Sequence, residues 1–257
     1  MMTTHPSKGR TGAIDIRADG VHYRDLNALI REAVEKGAEH IQLRDVHGQR
    51  YIGTNLRATA DIDIYGTPGN DLGAFMNGSR ITVHGNAQDG CGNTMNEGEI
   101  IVHGHAGDIT GLAARGGKIF IREGVGYRAG IHMKEYGEKK PVLVMGGTAQ
   151  DFLGEYMAGG IVVVLGMDLG EGEPHRANFV GTGMHGGAIY LRGHINDYQL
   201  GKEVGVRKPD RKDREVLSGL VRQFAAYFDY DAEEILSGPF LKLVPLYLRP
   251  YGRLYTY

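Results

Sequence analysis

The sequence predicts a mainly β protein: a single-domain parallel β-helix of about seven coils, with an N-terminal α/β cap and C-terminal helices. A segment of the form apolar-x-apolar-x-Gly recurs seven times between Ile62 and Gly193, with successive starts 19, 19, 19, 23, 20 and 27 residues apart. A second pattern, Gly-x-x-Met, keeps the same register. A period near nineteen leaves no room for the helical crossovers of doubly wound parallel sheets. Coils stacked directly on one another are therefore the expected architecture.

The first pattern predicts which side chains point into the coil. In a strand the first and third residues share one face and the second lies on the other. The outward second residues are polar in the early coils and apolar in the later ones. An apolar outer column should be covered, either by another part of this chain or by a partner. We therefore predict a possible partner face at Ile101, Phe120, Leu143, Val163 and Tyr190.

The second pattern predicts the corners of the coils and part of the core. Glycine suits a corner because it adopts positive φ and allows close backbone approach. Methionine is a flexible filler for the core beside it. The predicted structural positions are Gly73, Met76, Gly92, Met95, Gly111, Gly130, Met133, Gly154, Met157, Gly181 and Met184.

The flanking segments complete the predicted organisation. Residues 1–12 are expected to be a mobile tail, 13–60 a capping helix with strands, 61–195 the β-helix, and 196–257 C-terminal helices with an aromatic tail. Apolar spacing predicts a helix from Tyr23 to Lys36, with Asp25 as its N-cap and Gly37 as its stop. The capping segment is expected to cover the open first coil.

Composition excludes several classes of protein. The chain has 41 glycines without a three-residue period and only 8 prolines, which excludes collagen. A net charge of -2 favours neither nucleic acid nor an acidic membrane as a partner. The single cysteine, Cys91, excludes an internal disulfide and a multi-cysteine metal or iron–sulfur site. With no apolar run of membrane-spanning length and no signal peptide, a cytoplasmic protein is expected.

Candidate chemistry is sparse. Residues 181–186 match GxGxxG, but a strand rather than a helix follows, so a coil corner is expected instead of a dinucleotide site. His84 and His103 occupy one slot in adjacent coils and His105 lies nearby, which leaves metal binding open beside a plain surface ladder. No catalytic, cofactor-binding or metal-ligating residue is predicted on this chain.

Three motifs resemble the C-terminal GXGXG domain of glutamate synthase large subunits. They are Gly66-Thr-Pro-Gly-Asn-Asp71, Gly154-Glu-Tyr-Met-Ala-Gly-Gly-Ile161 and Phe179-Val-Gly-Thr-Gly-Met-His-Gly-Gly-Ala-Ile-Tyr190. The flanking segments are similar to the stand-alone form found where the large subunit is split. The resemblance implies a right-handed β-helix and a structural subunit that scaffolds a glutamine amidotransferase subunit and an FMN/iron–sulfur synthase subunit.

The same resemblance sets the expected reaction, cofactors and rivals. The complex would convert glutamine and 2-oxoglutarate to glutamate, with FMN and iron–sulfur clusters on the partner subunits and none on this chain. A homo-oligomer is also open, whereas nucleic acid and membrane are not expected as partners. The same domain occurs in the scaffold subunit of formylmethanofuran dehydrogenase, in the formyltransferase/hydrolase complex and in N-methylglutamate synthase-like complexes, which remain alternatives. A self-sufficient enzyme or metal protein using the histidines is the third hypothesis.

Overall fold

The computed structural model describes residues 13–247 and confirms the parallel β-helix. The described strands form one eleven-stranded sheet in the order β1-β2-β3-β4-β5-β6-β7-β8-β9-β11-β10, and β1 to β9 run parallel. The parallel strands are β1 Ile14–Arg17, β2 His40–His47, β3 Asp61–Thr67, β4 Asn77–Val83, β5 Glu97–Val102, β6 Lys118–Ile121, β7 Val142–Met145, β8 Ala158–Val164 and β9 Gly186–Arg192. The other elements are helix α1 Tyr23–Glu35, a 3-10 turn Asp197–Gln199, β10 Val204–Arg207, α2 Arg211–Phe228, α3 Ala232–Ser237 and β11 Phe240–Pro245.

The core of the solenoid is a column of aliphatic residues repeated once per coil. Paired directly across neighbouring strands, these residues are all buried, and turn residues such as Met76 complete the same core. The column consists of Ile41, Ile62, Ile81, Ile100, Ile119, Leu143, Val162 and Ile189.

The stack begins one coil earlier than the predicted boundary at residue 61. β2 pairs with β3 in parallel, and Ile41 faces Ile62. The turn after β2 also follows the repeat, because Gly53 has φ +73 and Leu56, three residues on, is buried. The apolar-x-apolar-x-Gly pattern does not detect this coil, because Asp45 stands where the pattern has glycine.

The prediction for Leu143 is wrong. Leu143 pairs with Ile119 and lies in the solenoid core, whereas Val144 pairs with Phe120 on the outer face. All four residues of β7 are apolar, so alternation could not set the register of this strand. A one-residue slip moves every side chain to the other face.

The outer apolar column is covered by this chain, which corrects the predicted partner face. Ile101, Phe120, Val163 and Tyr190 are buried in a second core, together with Phe224 and other residues of α2 and α3. Phe120 and Phe224 are both fully buried. The sheet is therefore packed on both faces where α2 crosses it.

Both ends of the described stack are closed. At the N-terminal end β1 adds to β2, while Leu26 and Ile30 of α1 pack into the solenoid core. The helix begins after His22, whose side chain accepts a hydrogen bond from the Arg24 N–H, so Asp25 lies in the first turn and is not the N-cap. At the C-terminal end β11 pairs antiparallel with β9, and β10 with β11. The predicted mobile tail at 1–12 and the ending at 248–257 lie outside the described residues.

Candidate functional site: the turn face of the solenoid

The Gly-x-x-Met pattern builds the inner wall of the turn. Its methionines are at most 1% exposed, and Ala114 takes the methionine slot in one coil. The turn glycines have φ between +64 and +74. A Cβ on Gly92 would lie 2.3 Å from Cδ1 of the buried Ile119, so any other residue would displace that side chain and adopt positive φ as well.

Positive φ is not confined to these glycines. In each coil the residues two before and two after the turn glycine are also left-handed, as at Asp71 and Phe75 around Gly73. A residue other than glycine in this left-handed region costs roughly 1–2 kcal/mol of conformational free energy. Bonds between coils fix the conformation: Arg128 N donates to Asp151 O at 2.9 Å, and Phe152 N donates to Asn178 O at 2.8 Å.

In the late coils these left-handed positions carry large side chains that reach solvent. Phe152 stacks on Phe179 with ring centroids 4.9 Å apart, and His132 stacks on Tyr156 at 5.4 Å. Phe179 is 52% exposed and Tyr156 is 47% exposed. The Arg128 guanidinium lies 4.7 Å above the Phe152 ring. We name Arg128, His132, Phe152, Tyr156 and Phe179 the aromatic turn patch.

The aromatic turn patch is held in place by packing and by an ion pair. A Cβ on Gly183 would lie 2.5 Å from the Tyr156 ring, so this glycine leaves room for the ring. Arg128 also forms an ion pair with Glu155, whose side chain is largely buried. Gly183 belongs to the GxGxxG match, and strand β9 begins at Gly186, so the motif forms a coil corner with no helix behind it.

The arrangement suits protein recognition. Aromatic residues and arginine are enriched at protein interfaces and among the residues that dominate binding energy. Backbone strain is retained where the surrounding structure over-determines it, often at binding sites. An exposed aromatic group on a fixed turn can bind a partner with little loss of conformational entropy.

The histidines of the outer face form a stacked ladder. Ring centroids are 4.5 Å apart between Tyr65 and His84 and 5.4 Å between His84 and His103, whose ring edge-packs on Phe228. His84 Nε2 lies 2.9 Å from Asp63 Oδ1. Burial lowers the pKa of His103, and the charges of His84 and Arg122 lower it further.

These histidines are not joined by further ligand side chains within the described residues. His105 is exposed and makes no ring contact with the ladder. Among residues 13–247 no group of three or more His, Cys, Asp or Glu side chains is placed to hold a metal ion. His175 is buried, with Nε2 2.8 Å from the Arg192 carbonyl oxygen, and burial lowers its pKa. Complete burial raises the pKa of the Cys91 thiol to about 12.

Comparison with known proteins identifies the family. The model of the GXGXG motif family matches residues 38–247, which is most of the chain. The chain belongs to the GXGXG motif family. The match begins close to β2, in agreement with the first coil of the structure. The resemblance seen in the sequence motifs is thus confirmed at the level of the family.

One curated relative adds a full-length comparison. This GXGXG protein is 46% identical to an uncharacterized protein of Methanocaldococcus jannaschii over 252 residues, which cover 94% of this chain and 95% of the relative. No helix in the described part of the chain is both long and apolar enough to cross a membrane.

The sequence patterns of this GXGXG protein did not reveal the turn patch. Its residues fall two before and two after the turn glycines, at positions where the early coils carry Asp71, Thr94 and Ala113 but also Tyr51 and Phe75. The available signal was an unbroken run of large side chains at these two slots from Arg128 to Phe179, whereas small, polar and aromatic residues are mixed there in the early coils. Aligning the copies on the glycine instead of on the strand brings this run out.

Proposed function

We propose that this GXGXG protein is a non-catalytic structural subunit of a glutamate synthase-type complex. Its role is to hold an amidotransferase subunit and an FMN-containing synthase subunit in register while glutamine nitrogen is transferred to 2-oxoglutarate. The observation that carries the proposal is the aromatic turn patch, an exposed interface-like surface on a family member whose sheet face is already covered by α2.

The solenoid suits a spacer between two subunits. Stacked coils about 4.8 Å apart give an extended, hydrogen-bonded body. Two cores, one inside the coils and one beneath α2, restrain the sheet from both faces. A partner seated on the turn face would meet a surface whose backbone positions are fixed from coil to coil.

Co-purification of tagged protein with its partner subunits tests the proposal. The Phe152→Asp/Phe179→Asp double variant is expected to lose at least one of the two subunits. Binding of the partner would have to desolvate two carboxylates where the unmodified protein presents stacked rings. Asp71 occupies the same backbone slot in an earlier coil with φ +61, so aspartate is compatible with this conformation.

Tyr51→Asp is the matched control. Tyr51 has φ +63, is 38% exposed and lies in the same slot at the opposite end of the stack. It should retain both subunits, because Tyr51 lies outside the aromatic turn patch. The substitution itself is equivalent in side chain and backbone conformation, so it controls for those effects. Recovery of the unmodified protein as a lone monomer, or with subunits of a formyl-transferring complex instead, would overturn the proposal.

A further inference from the structure

A second surface feature of the solenoid is a cleft of about 740 Å³ beside the inserted turn that follows Met133. Ile119 and Leu143 pair directly but are 24 residues apart, five more than the regular period. The extra residues form a tight turn in which Tyr136 and Lys139 exchange backbone hydrogen bonds of 3.1 Å. Both of these residues line the cleft, so the insertion supplies one wall of it.

The cleft gathers positive charge. Arg57, Arg115 and Lys139 line it, and its described lining includes no Asp or Glu. Lys139 forms an ion pair with Glu97 just outside the lining. One of the three positive charges is thereby neutralised, which leaves an excess of two.

Arg115 is also incompletely bonded. Its Nε is buried and has no hydrogen-bond partner within residues 13–247. A buried N–H without an acceptor costs free energy, and such groups are rare in folded proteins. An oxyanion in the cleft would compensate the charge of this guanidinium group, whose planar shape matches carboxylate and phosphate geometry.

The rest of the lining suits a small organic molecule. Asn55, Asn77 and Asn96 add amide groups that both donate and accept hydrogen bonds. Phe75 and Tyr136 add exposed aromatic surface. The volume falls within the range of small-molecule sites, about 300–1,000 Å³.

We propose that this cleft binds a small organic dianion, one that carries two carboxylates or a phosphate group. The excess of two positive charges sets the ligand charge, and the amides and rings hold its oxygens and carbon skeleton. This inference is independent of the proposed structural role in a complex, because it depends on residues outside the aromatic turn patch.

Thermal shift and calorimetric titration of the full chain test this site. The probes are inorganic phosphate, 2-oxoglutarate and a nucleoside monophosphate, each at constant ionic strength and up to about 10 mM, which detects a Kd of about 1 mM. At least one probe should raise Tm saturably, as ligand linkage requires. Saturation by 2-oxoglutarate alone would identify a dicarboxylate site, and saturation by the two phosphates alone a phosphate site.

Variants separate the site from general charge effects. Arg115→Gln and Arg57→Gln should each weaken binding about tenfold or more, the loss expected for one charge-assisted hydrogen bond. Because Arg57 is exposed, its variant tests the site even where Arg115→Gln is unstable. Arg31→Gln, an equal charge change on the exposed side of α1, should bind as the unmodified protein does.

Two results would overturn this inference. One is the absence of a saturable shift with all three probes. The other is equal binding by the Arg57, Arg115 and Arg31 variants, which would mean that the anions act on the protein as a whole. If an acidic segment of a partner protein occupies the cleft while none of the three small probes binds, the inference is overturned in the same way as by the first result.

Discussion

Left-handed backbone at residues other than glycine is the distinctive feature at the scale of single residues. Most of the residues concerned tolerate it poorly, and a β-branched residue there is a clear outlier. Ile109 has φ +50 and lies in the slot that Asp71 and Gly90 occupy in the two preceding coils. Its backbone N–H donates to Tyr127 O at 2.8 Å, which holds the conformation.

Ile109→Asn should therefore stabilise the protein. Asparagine adopts the left-handed region more readily, and relief of strain of about 1 kcal/mol should exceed the loss from a half-buried side chain. Urea denaturation of both proteins measures the difference in free energy of unfolding. Ile161→Asn is the control, since Ile161 is also half-buried but lies in β8 outside the positive-φ set. Equal destabilisation of the two variants would contradict the strain argument.

Sequence reasoning reached the residues whose conformation is tied to their type. A glycine at positive φ and a methionine in a core column recur with the period, and the structure places both as the pattern indicates. Phe152, Tyr156 and Phe179 could not be found in this way. Phe152 and Tyr156 donate their backbone N–H groups to Asn178 O and Thr182 O of the next coil, and these bonds, not the type of side chain, hold the conformation.

At the scale of elements, helix α2 is joined to the sheet by a buried polar group as well as by its apolar face. Asp213 accepts hydrogen bonds from Tyr190 Oη at 2.7 Å, from Lys242 Nζ at 2.6 Å and from the Asp210 N–H at 2.9 Å. It thereby connects the first turn of α2 with β9 and β11. Burial alone would raise the pKa of Asp213, but these hydrogen bonds together lower it below its usual value.

Asp213→Asn should weaken the docking of α2 by about 1.5–3 kcal/mol at neutral pH, the typical value of a hydrogen bond to a charged group. Because the folded state lowers the pKa, this stabilisation is complete above the unfolded value near pH 4 and is lost as pH falls through the folded value. Urea unfolding at a series of pH values should show the two proteins converging in acid. Asp229→Asn, at the exposed C-terminal end of α2, should lose nothing. A constant difference across the series would rule out the carboxylate as the cause.

Two differences between the predicted and the observed structure concern whole elements. β7 is apolar at every position, so its inward face cannot be read from alternation. The spacing of the copies indicates the correct register of β7. When the fifth copy starts at Leu143, the next interval is the regular 19 residues. The apolar outer column was located correctly apart from Leu143, but whether α2 or a partner covers it depends on how the chain returns after β9.

For the whole molecule, the two ends of the stack determine whether its terminal coils can pair with other chains. A parallel stack ends in strands with unpaired backbone groups, which promote association with other chains. At the N-terminal end β1 and α1 cover the first coil, and Leu26 is completely buried against the solenoid core. The C-terminal end is closed differently, by the antiparallel strands β11 and β10.

Leu26→Asp should undock α1 and convert the protein into a species that self-associates. The variant loses a buried side chain and gains a buried charge, a cost of about 3–5 kcal/mol by analogy with large-to-small changes in protein cores. Light scattering coupled to size exclusion, over a range of protein concentrations, would detect the association. Leu29→Asp is the matched control, because Leu29 lies on the same helix but is 43% exposed. It should keep the mass distribution of the unmodified protein. An unchanged distribution for a folded Leu26→Asp variant would show that the cap does not protect this end of the stack.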